Sequence, residues 1–497
     1  MSKAEINIFW FKRDLRLTDN EALNHALTSR NKLLLVYIYE PDIWRDPHYD
    51  PRHLNFIKES LHDLNVKFAA KNTRILCIES GVVPFFQQLL HRFKVKTVFS
   101  TEETGLDVTY KRDIEFSKFC SEQCISWKEF QNNGVIRGIR NRKTWRKAWY
   151  SYMRAPVSEP DFNAGMCFST DEVEDVYNGV DEVYKGYAKF QTDTKPHDFQ
   201  KGGCTEAYTC MHSFFTERIS KYSDYISKPE LSRYGCSRLS PYFAWGNLSI
   251  REVYQKAFGL KKTSHHKRQL NAFMSRLRWQ SHFIQKFEME PRMEFEAVNK
   301  GFLDLEQPMS QEYLERWTSG TTGYPLVDAS IRCVVETGYI NFRMRSMIVS
   351  FLTHHLFQHF STIGPWLARQ FLDFEPGIHY GQMQMQAGFT GTNTVRVYNP
   401  VKNSHDHDSE AVFIKKYVPE LRELPVNLAL EPWAITPMEK KLYSFTYGKD
   451  YPERIVDISE TRKFALQKLY GQRKSDLARA EKERILERHT IRRKDRE

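Results

Sequence analysis

An α/β half followed by an all-helical half is the fold this sequence predicts, on three observations. Short apolar runs recur through the first 130 residues with helix-like segments between them. No glycine-rich phosphate loop of the GxGxxG or GxxxxGK kind interrupts them. Beyond about residue 204 the texture changes to long amphipathic segments. The runs at 6–11 (INIFWF) and 34–39 (LLVYIY), then near RILCIES and TVFST, read as strands of a parallel sheet covered by helices. Four later segments carry apolar residues at helical spacing: FMSRLRWQSHFIQKFE, ASIRCVVETGY, FRMRSMIVSFLTHHLFQHF and SEAVFIKKYV. The expected organisation is an α/β domain at 1–133, a partly helical connection at 134–203, a helical domain at 204–445 and a basic helical tail at 446–497. The tail segment DLARAEKERILERHTIRRKDRE has few apolar positions and reads as an exposed helix.

Composition narrows the class. A chain of 497 residues exceeds one ordinary core, and 41% hydrophobic with 14% aromatic content argues against disorder. No apolar run reaches the ~18 residues of a membrane span, and the start lacks a secretory pattern. Eight cysteines without CxxC spacing read as free thiols, so a cytoplasmic monomer is expected. Net charge is +11, but residues 461–497 carry 13 Lys or Arg against 6 Asp or Glu, a surplus of 7, which leaves +4 for the rest. A nucleic-acid site must therefore be argued locally. The segment 136–154 (IRGIRNRKTWRKAWYSYMR) has seven cations, no acids and interleaved aromatics, which suits single-stranded nucleic acid and an interdomain helix equally. His355 and His359 are four apart, but with no third ligand evident they read as packed histidines. Within 373–389 (DFEPGIHYGQMQMQAGF), the stretch from Gly377 to Phe389 has no formal charge and alternates Gln with Met.

Four motifs in order closely resemble the photolyase/cryptochrome family of flavoproteins: FWFKRDLRLTDNEAL (9–23), CSRLSPYFAWGNLS (236–249), TTGYPLVDASIR (321–332) and VRVYNPVKNSHDHDSEAVFIKKYVPEL (395–421). The resemblance runs from about 5 to 465 and implies FAD as cofactor. A flavin pyrophosphate needs hydroxyls, N–H groups and positive charge, which Ser237, Arg238 and Ser240 before Pro241 offer. An isolated SRLSP is more often a plain helix cap, and the family context favours the phosphate reading. Cys236 stands where relatives often carry Thr, and Leu239 and Gln280 fall beside the cofactor. Tyr225 is the expected upstream contact, with Tyr222 its rival. Arg345 and Asp373 match an ion pair beside the flavin ring, and Asp373 and Glu375 match its acid pair. His379 falls opposite the flavin N5, Met383 on the first tryptophan of the family's electron-transfer chain, and Met385 on a tryptophan flanking the lesion. Phe360 and Gln307 stand at the other two chain positions, so photoreduction is expected to be slow or rerouted through Trp245, Trp279, Trp317, Tyr339, Trp366 or Tyr380.

The resemblance further implies UV-damaged DNA, single- or double-stranded, as partner. Trp279 keeps the wall for a flipped dimer, and Arg343 and Arg396 match phosphate contacts. Arg276, Phe342 and Ser346 replace an acid, an Asn and a Met of dimer-repairing relatives, and the (6-4) histidine pair is missing. A second, antenna chromophore of folate, deazaflavin or flavin type belongs to the family pattern, but the N-terminal motif does not identify it. The cysteines do not reproduce an iron–sulfur cluster, so no metal is expected. The expected function is light-driven repair of cyclobutane pyrimidine dimers. The rival is a cryptochrome-like photoreceptor without repair.

Overall fold

The computed structural model describes residues 3–162, 167–181 and 199–490. Parts of the 134–203 connection and the last seven residues of the basic tail lie outside the described residues. Five strands, β1 (Ala4–Phe11), β2 (Lys32–Tyr39), β3 (Leu76–Glu79), β4 (Phe93–Thr101) and β5 (Ser126–Phe130), form one parallel sheet in the order β3-β2-β1-β4-β5. Both faces are covered, so the central strands read as unbroken apolar runs. Along them the side chains still alternate. Ile8, Trp10, Leu34 and Val36 join Phe85, Phe86 and Phe116 of helices Val82–Arg92 and Asp107–Glu122 in one core. Phe9, Phe11, Leu33 and Leu35 face the other way, into a core that continues through the helical half. One core thus crosses from the sheet into the helices.

The loop leaving β1 makes that join. Strand order reverses between β1 and β4, and the loop at such a switch point commonly holds a ligand. Here its side chains grip the helical half instead. Arg13 donates from Nε to the Ala244 carbonyl (2.9 Å) and from Nη2 to the Phe374 carbonyl. Arg16 donates to the Gly246 carbonyl at 3.2 Å. Asp19, fully buried, accepts from Arg251 Nε at 2.8 and 2.9 Å and from the Ser249 hydroxyl. Gly246 has φ +77°, and a Cβ there would lie 2.2 Å from the Arg13 carbonyl oxygen, so no side chain fits at this junction. A remaining crevice beside the loop, lined by Glu103, Glu288 and Glu375, is about 30 Å³.

Three expectations change. The segment 342–360 is not one helix: Phe342–Ser350 runs into a π-helical turn at Phe351–His355, and a new helix starts at Phe360. His355 and His359 are therefore not a turn apart on one face. His355 is held by Thr461 Oγ1 (2.9 Å) and the Tyr398 carbonyl (2.8 Å), and His359 caps the next helix. The tail helix Asp476–His489 is docked rather than free, because Ala478, Ile485 and His489 are buried and Glu290 collects Arg484 and His489. No helix among the described residues is long and apolar enough to cross a membrane.

Candidate functional site

A cavity of about 1220 Å³ opens between three helices: Lys267–Met289, Phe342–Ser350 and Pro376–Ala387. Helix Lys267–Met289 buries Leu270, Phe273, Leu277, Ile284 and Phe287 and turns Arg276, Trp279, Gln280, Phe283 and Lys286 to the cavity. That split follows from residues three and four apart sharing a face. Helix Pro376–Ala387 crosses it closely because two glycines remove the obstruction. A Cβ at Gly377 would lie 2.6 Å from Ile284 Cα, and one at Gly381 2.8 Å from Phe283 Cδ1.

The Gln/Met alternation divides between wall and core. Gln382, Met385 and Gln386 line the cavity, whereas Met383 turns into the core. Gln384 is a buried staple: its amide donates to the carbonyls of Met293 (3.1 Å) and Glu296 (2.6 Å) and accepts from Val298 N (2.8 Å). A charged side chain could not satisfy both donor and acceptor needs there, which explains an amide at position 384.

Arg345 Nη2 donates to both Asp373 carboxylate oxygens at 2.8 Å, Nε donates to the Ile340 carbonyl at 3.0 Å, and the guanidinium lies 3.9 Å from the Phe371 ring centroid. Glu375 is buried with Oε1 unpartnered and Arg13 3.9 Å away, and burial pushes its carboxyl up to about 7. Cys236, Ser237, Arg238 and Ser240 all line the cavity. Arg238 adopts φ +59° and lays its guanidinium 3.6 Å from the Tyr339 ring centroid, with Gln200 as its hydrogen-bond partner at 3.1 Å. Arg276, Trp279, Phe342, Arg343 and Arg396 stand around the same space, with Trp279 43% exposed.

Four expected residues lie off the main cavity. Tyr225 packs on Gly235, away from the cavity, and its rival Tyr222 faces it, because Tyr222 and Ile226 are the pair one helical turn apart. Leu239 is wholly in the core and caps the helix Ser240–Ala244. His379 and Met383 line a separate space of about 30 Å³ behind Arg345 and Asp373, not the main cavity. His379 donates from Nε2 to the Gly364 carbonyl at 3.0 Å, and burial drives its imidazole down to about 3, so it is neutral.

Four lining cations escaped the sequence reading as individuals, Arg142, Arg146, Arg278 and Lys286, and two of them are buried. Arg142 is 1% exposed; Nη1 donates to His282 Nδ1 at 2.7 Å while Nε and Nη2 have no partner, and burial lowers it to about 9. Lys286 is likewise buried and lowered to about 8. The basic-aromatic segment divides between cavity and core: Arg142, Trp145 and Arg146 line the cavity, while Trp149 and Met153 enter the core. In all, nine Lys or Arg line the cavity against two acids, Asp373 and Glu375. Such a space is built for a polyanion.

Residues 7–153 match the family described as DNA photolyase, and residues 273–471 match the FAD binding domain of DNA photolyase. The chain belongs to the photolyase/cryptochrome family. It is 26% identical over 470 residues to the deoxyribodipyrimidine photo-lyase of Alkalihalophilus pseudofirmus, covering 92% of this chain and 96% of that one. It is 23% identical to the cryptochrome DASH of Gloeobacter violaceus, covering 91% and 93%. In structure it is similar to a Synechocystis cryptochrome (TM-score 0.84, 21% identity, 94% of this chain and all of that one). It is also similar to an archaeal photolyase from Sulfolobus tokodaii with two FAD molecules (TM-score 0.76, 23% identity, 94% and all).

FAD is the cofactor of this photolyase/cryptochrome family member. Its cavity fits the group. The volume of about 1220 Å³ exceeds that of an ordinary small-molecule site and leaves space beside one ligand. Glu375 Oε1, Arg343 Nε and Thr390 Oγ1 line it without partners, and the cationic surplus suits a pyrophosphate.

The Glu375 carboxyl gives the apoprotein a pH signature. Its folded value of about 7 lies above its ordinary 4.5, so the folded state holds the proton more tightly. That stabilisation is complete below pH 4.5 and is lost as pH rises through 7. Glu375→Gln stays neutral throughout. Unfolding in urea across this range is expected to show the wild type losing up to about 3 kcal/mol relative to the variant as pH rises. A flat difference would place the carboxyl in a wetter site.

Proposed function

We infer that this chain is a light-driven DNA repair enzyme that splits cyclobutane pyrimidine dimers. Reduced FAD would supply the electron that opens the dimer. The observation that carries the reading is the half-exposed Trp279 at the edge of a cavity with seven more cations than acids. An indole face there offers a stacking surface for an extruded pyrimidine dimer, a contact worth about 1–3 kcal/mol per base. Exposed Arg276 and Arg396 and the unpartnered Nε of Arg343 supply positive charge for the phosphodiester backbone. Arg345 and Asp373 neutralise one another and hold the floor of the cavity rigid, so the protein contributes placement and electrostatics rather than a nucleophile. The names of the photo-lyase relatives agree with this reading.

The competing reading, a photoreceptor that does not repair, is favoured by Arg276 and Phe342 at the cavity, by the buried Ser346 behind it, and by the cryptochrome DASH relatives. The deciding experiment is to reduce the protein chemically, add a dimer-containing oligonucleotide and follow the recovery of base absorbance under blue light. Recovery over many turnovers is expected, and no recovery with flavin bound and reduced would sink the repair reading. On the same oligonucleotide, Trp279→Ala is expected to weaken binding roughly 5- to 150-fold, the equivalent of one stacked base. Arg343→Ala and Arg396→Ala should each lower the slope of log affinity against log salt by about 1.

A further inference from the structure

The three positions of the family's tryptophan chain hold Met383, Phe360 and Gln307, none of which gives up an electron readily. The described aromatics near the cavity are not equal substitutes. Tyr339 carries the Arg238 guanidinium 3.6 Å from its ring centroid, and Trp245 carries Arg13 at 4.6 Å. A cation over the ring opposes the loss of an electron from it. Trp317 donates from Nε1 to the Ile348 carbonyl, which cannot accept a proton outright.

Tyr380 differs. It lies on helix Pro376–Ala387, next to the cavity-lining Gly381, and it is 1% exposed. Its ring centroid is 5.1 Å from that of His379. Its hydroxyl is hydrogen-bonded to His48 Nε2, a residue of the N-terminal half. His48 Nδ1 in turn faces Asp46 Oδ1 at 2.5 Å. With Nδ1–H donating to that carboxylate, Nε2 is the ring nitrogen left to accept from the phenol hydroxyl. His48 is 4% exposed, its ring lies nearly parallel to Phe374 (centroids 5.8 Å apart, 14°), and Glu294 and His379 are the other titratable groups about it. The phenol and imidazole are buried, the carboxylate is partly so, and none of the three has a part in the cavity chemistry above.

We propose that Tyr380 is the electron donor for light-driven reduction of the flavin, with His48 as its proton acceptor and Asp46 as the group that orients His48. The phenol loses one electron to the photoexcited oxidised flavin as its O–H bond breaks and the proton passes to His48 Nε2. A neutral tyrosyl radical and an imidazolium paired with Asp46 remain. A thiolate in solution returns the electron, becoming a thiyl radical that pairs to disulfide, and His48 returns the proton. A buried phenol with no base would have to hold a radical cation in a low-dielectric core, and the base removes that cost. The inference rests on FAD binding and not on the repair reading.

The test uses the flavin-loaded full chain without DNA, illuminated with blue light in the presence of a thiol and frozen for electron paramagnetic resonance. A neutral tyrosyl signal is expected that narrows with ring-deuterated tyrosine. Tyr380→Phe should abolish it and slow flavin reduction at least tenfold. His48→Gln, which keeps a polar partner but not a base, should cut the radical yield at least tenfold and remove the solvent deuterium effect on the rate. Retained flavin and an unchanged melting temperature identify variants that fold. An unaltered signal and rate in folded Tyr380→Phe would overturn the assignment, as would His48→Gln with an unaltered yield and isotope effect. Failure of the repair reading shows separately, as no dimer splitting by the chemically reduced wild type.

Discussion

Asp19→Ala is expected to destabilise the protein by about 3–5 kcal/mol, the cost of leaving a buried charge without its partner. Arg251 is 4% exposed and takes both Asp19 oxygens, with its guanidinium 4.5 Å from the Tyr152 ring centroid and no second carboxylate bonded to it. Asp19 also receives the Ser249 hydroxyl and the Ser158 amide at 3.2 Å, so truncation strands donors from two other segments. The effect should appear as a lower urea midpoint. Asp19→Asn, which keeps an acceptor, should fall between the two. A loss below about 1 kcal/mol would mean that water replaces the carboxylate and that the β1 loop is not what fastens the two halves.

Asp373→Ala is the second large effect. It leaves Arg345 with only the Ile340 carbonyl and the Phe371 ring, at a cost of about 3 kcal/mol. On our reading that this pair sits beside the flavin, the variant should also purify with at least tenfold less bound FAD, measured as the ratio of flavin to protein absorbance. Normal flavin content in a destabilised variant would assign the pair a purely structural part.

Much of this was legible in the chain. Strands β1, β2 and β4 announced themselves because burial on both faces writes an unbroken apolar run. Strand β5 did not: SWKEF is an edge strand with three partly and two fully exposed residues, and a half-wet edge needs no apolar run. The Arg345–Asp373 pair, and Ser237 and Ser240 at the cavity, followed from the family resemblance rather than from spacing, since an isolated SRLSP reads as a plain helix cap. Tyr222 against Tyr225 was not legible, because that choice depends on how a single helical turn is rotated by Gly235 beneath it. Nor could Arg142 and Lys286 be found, since a lysine or arginine looks the same in sequence whether it points to solvent or into a cavity. His48 was invisible for a plainer reason: its partner Tyr380 is 332 residues away.

The docked helix Asp476–His489 brings Ile485, His489 and Thr490 to the wall that Ser237 and Ser240 also line. Roughly 250 residues separate these two parts of one wall. On a ribosome adding about 5–20 residues per second, the serines emerge some 10–50 s before the helix that closes the far side. Six of the nine lining cations, Arg276 through Arg396, emerge within that interval, so the charge of the cavity is assembled piecemeal before the last wall closes it.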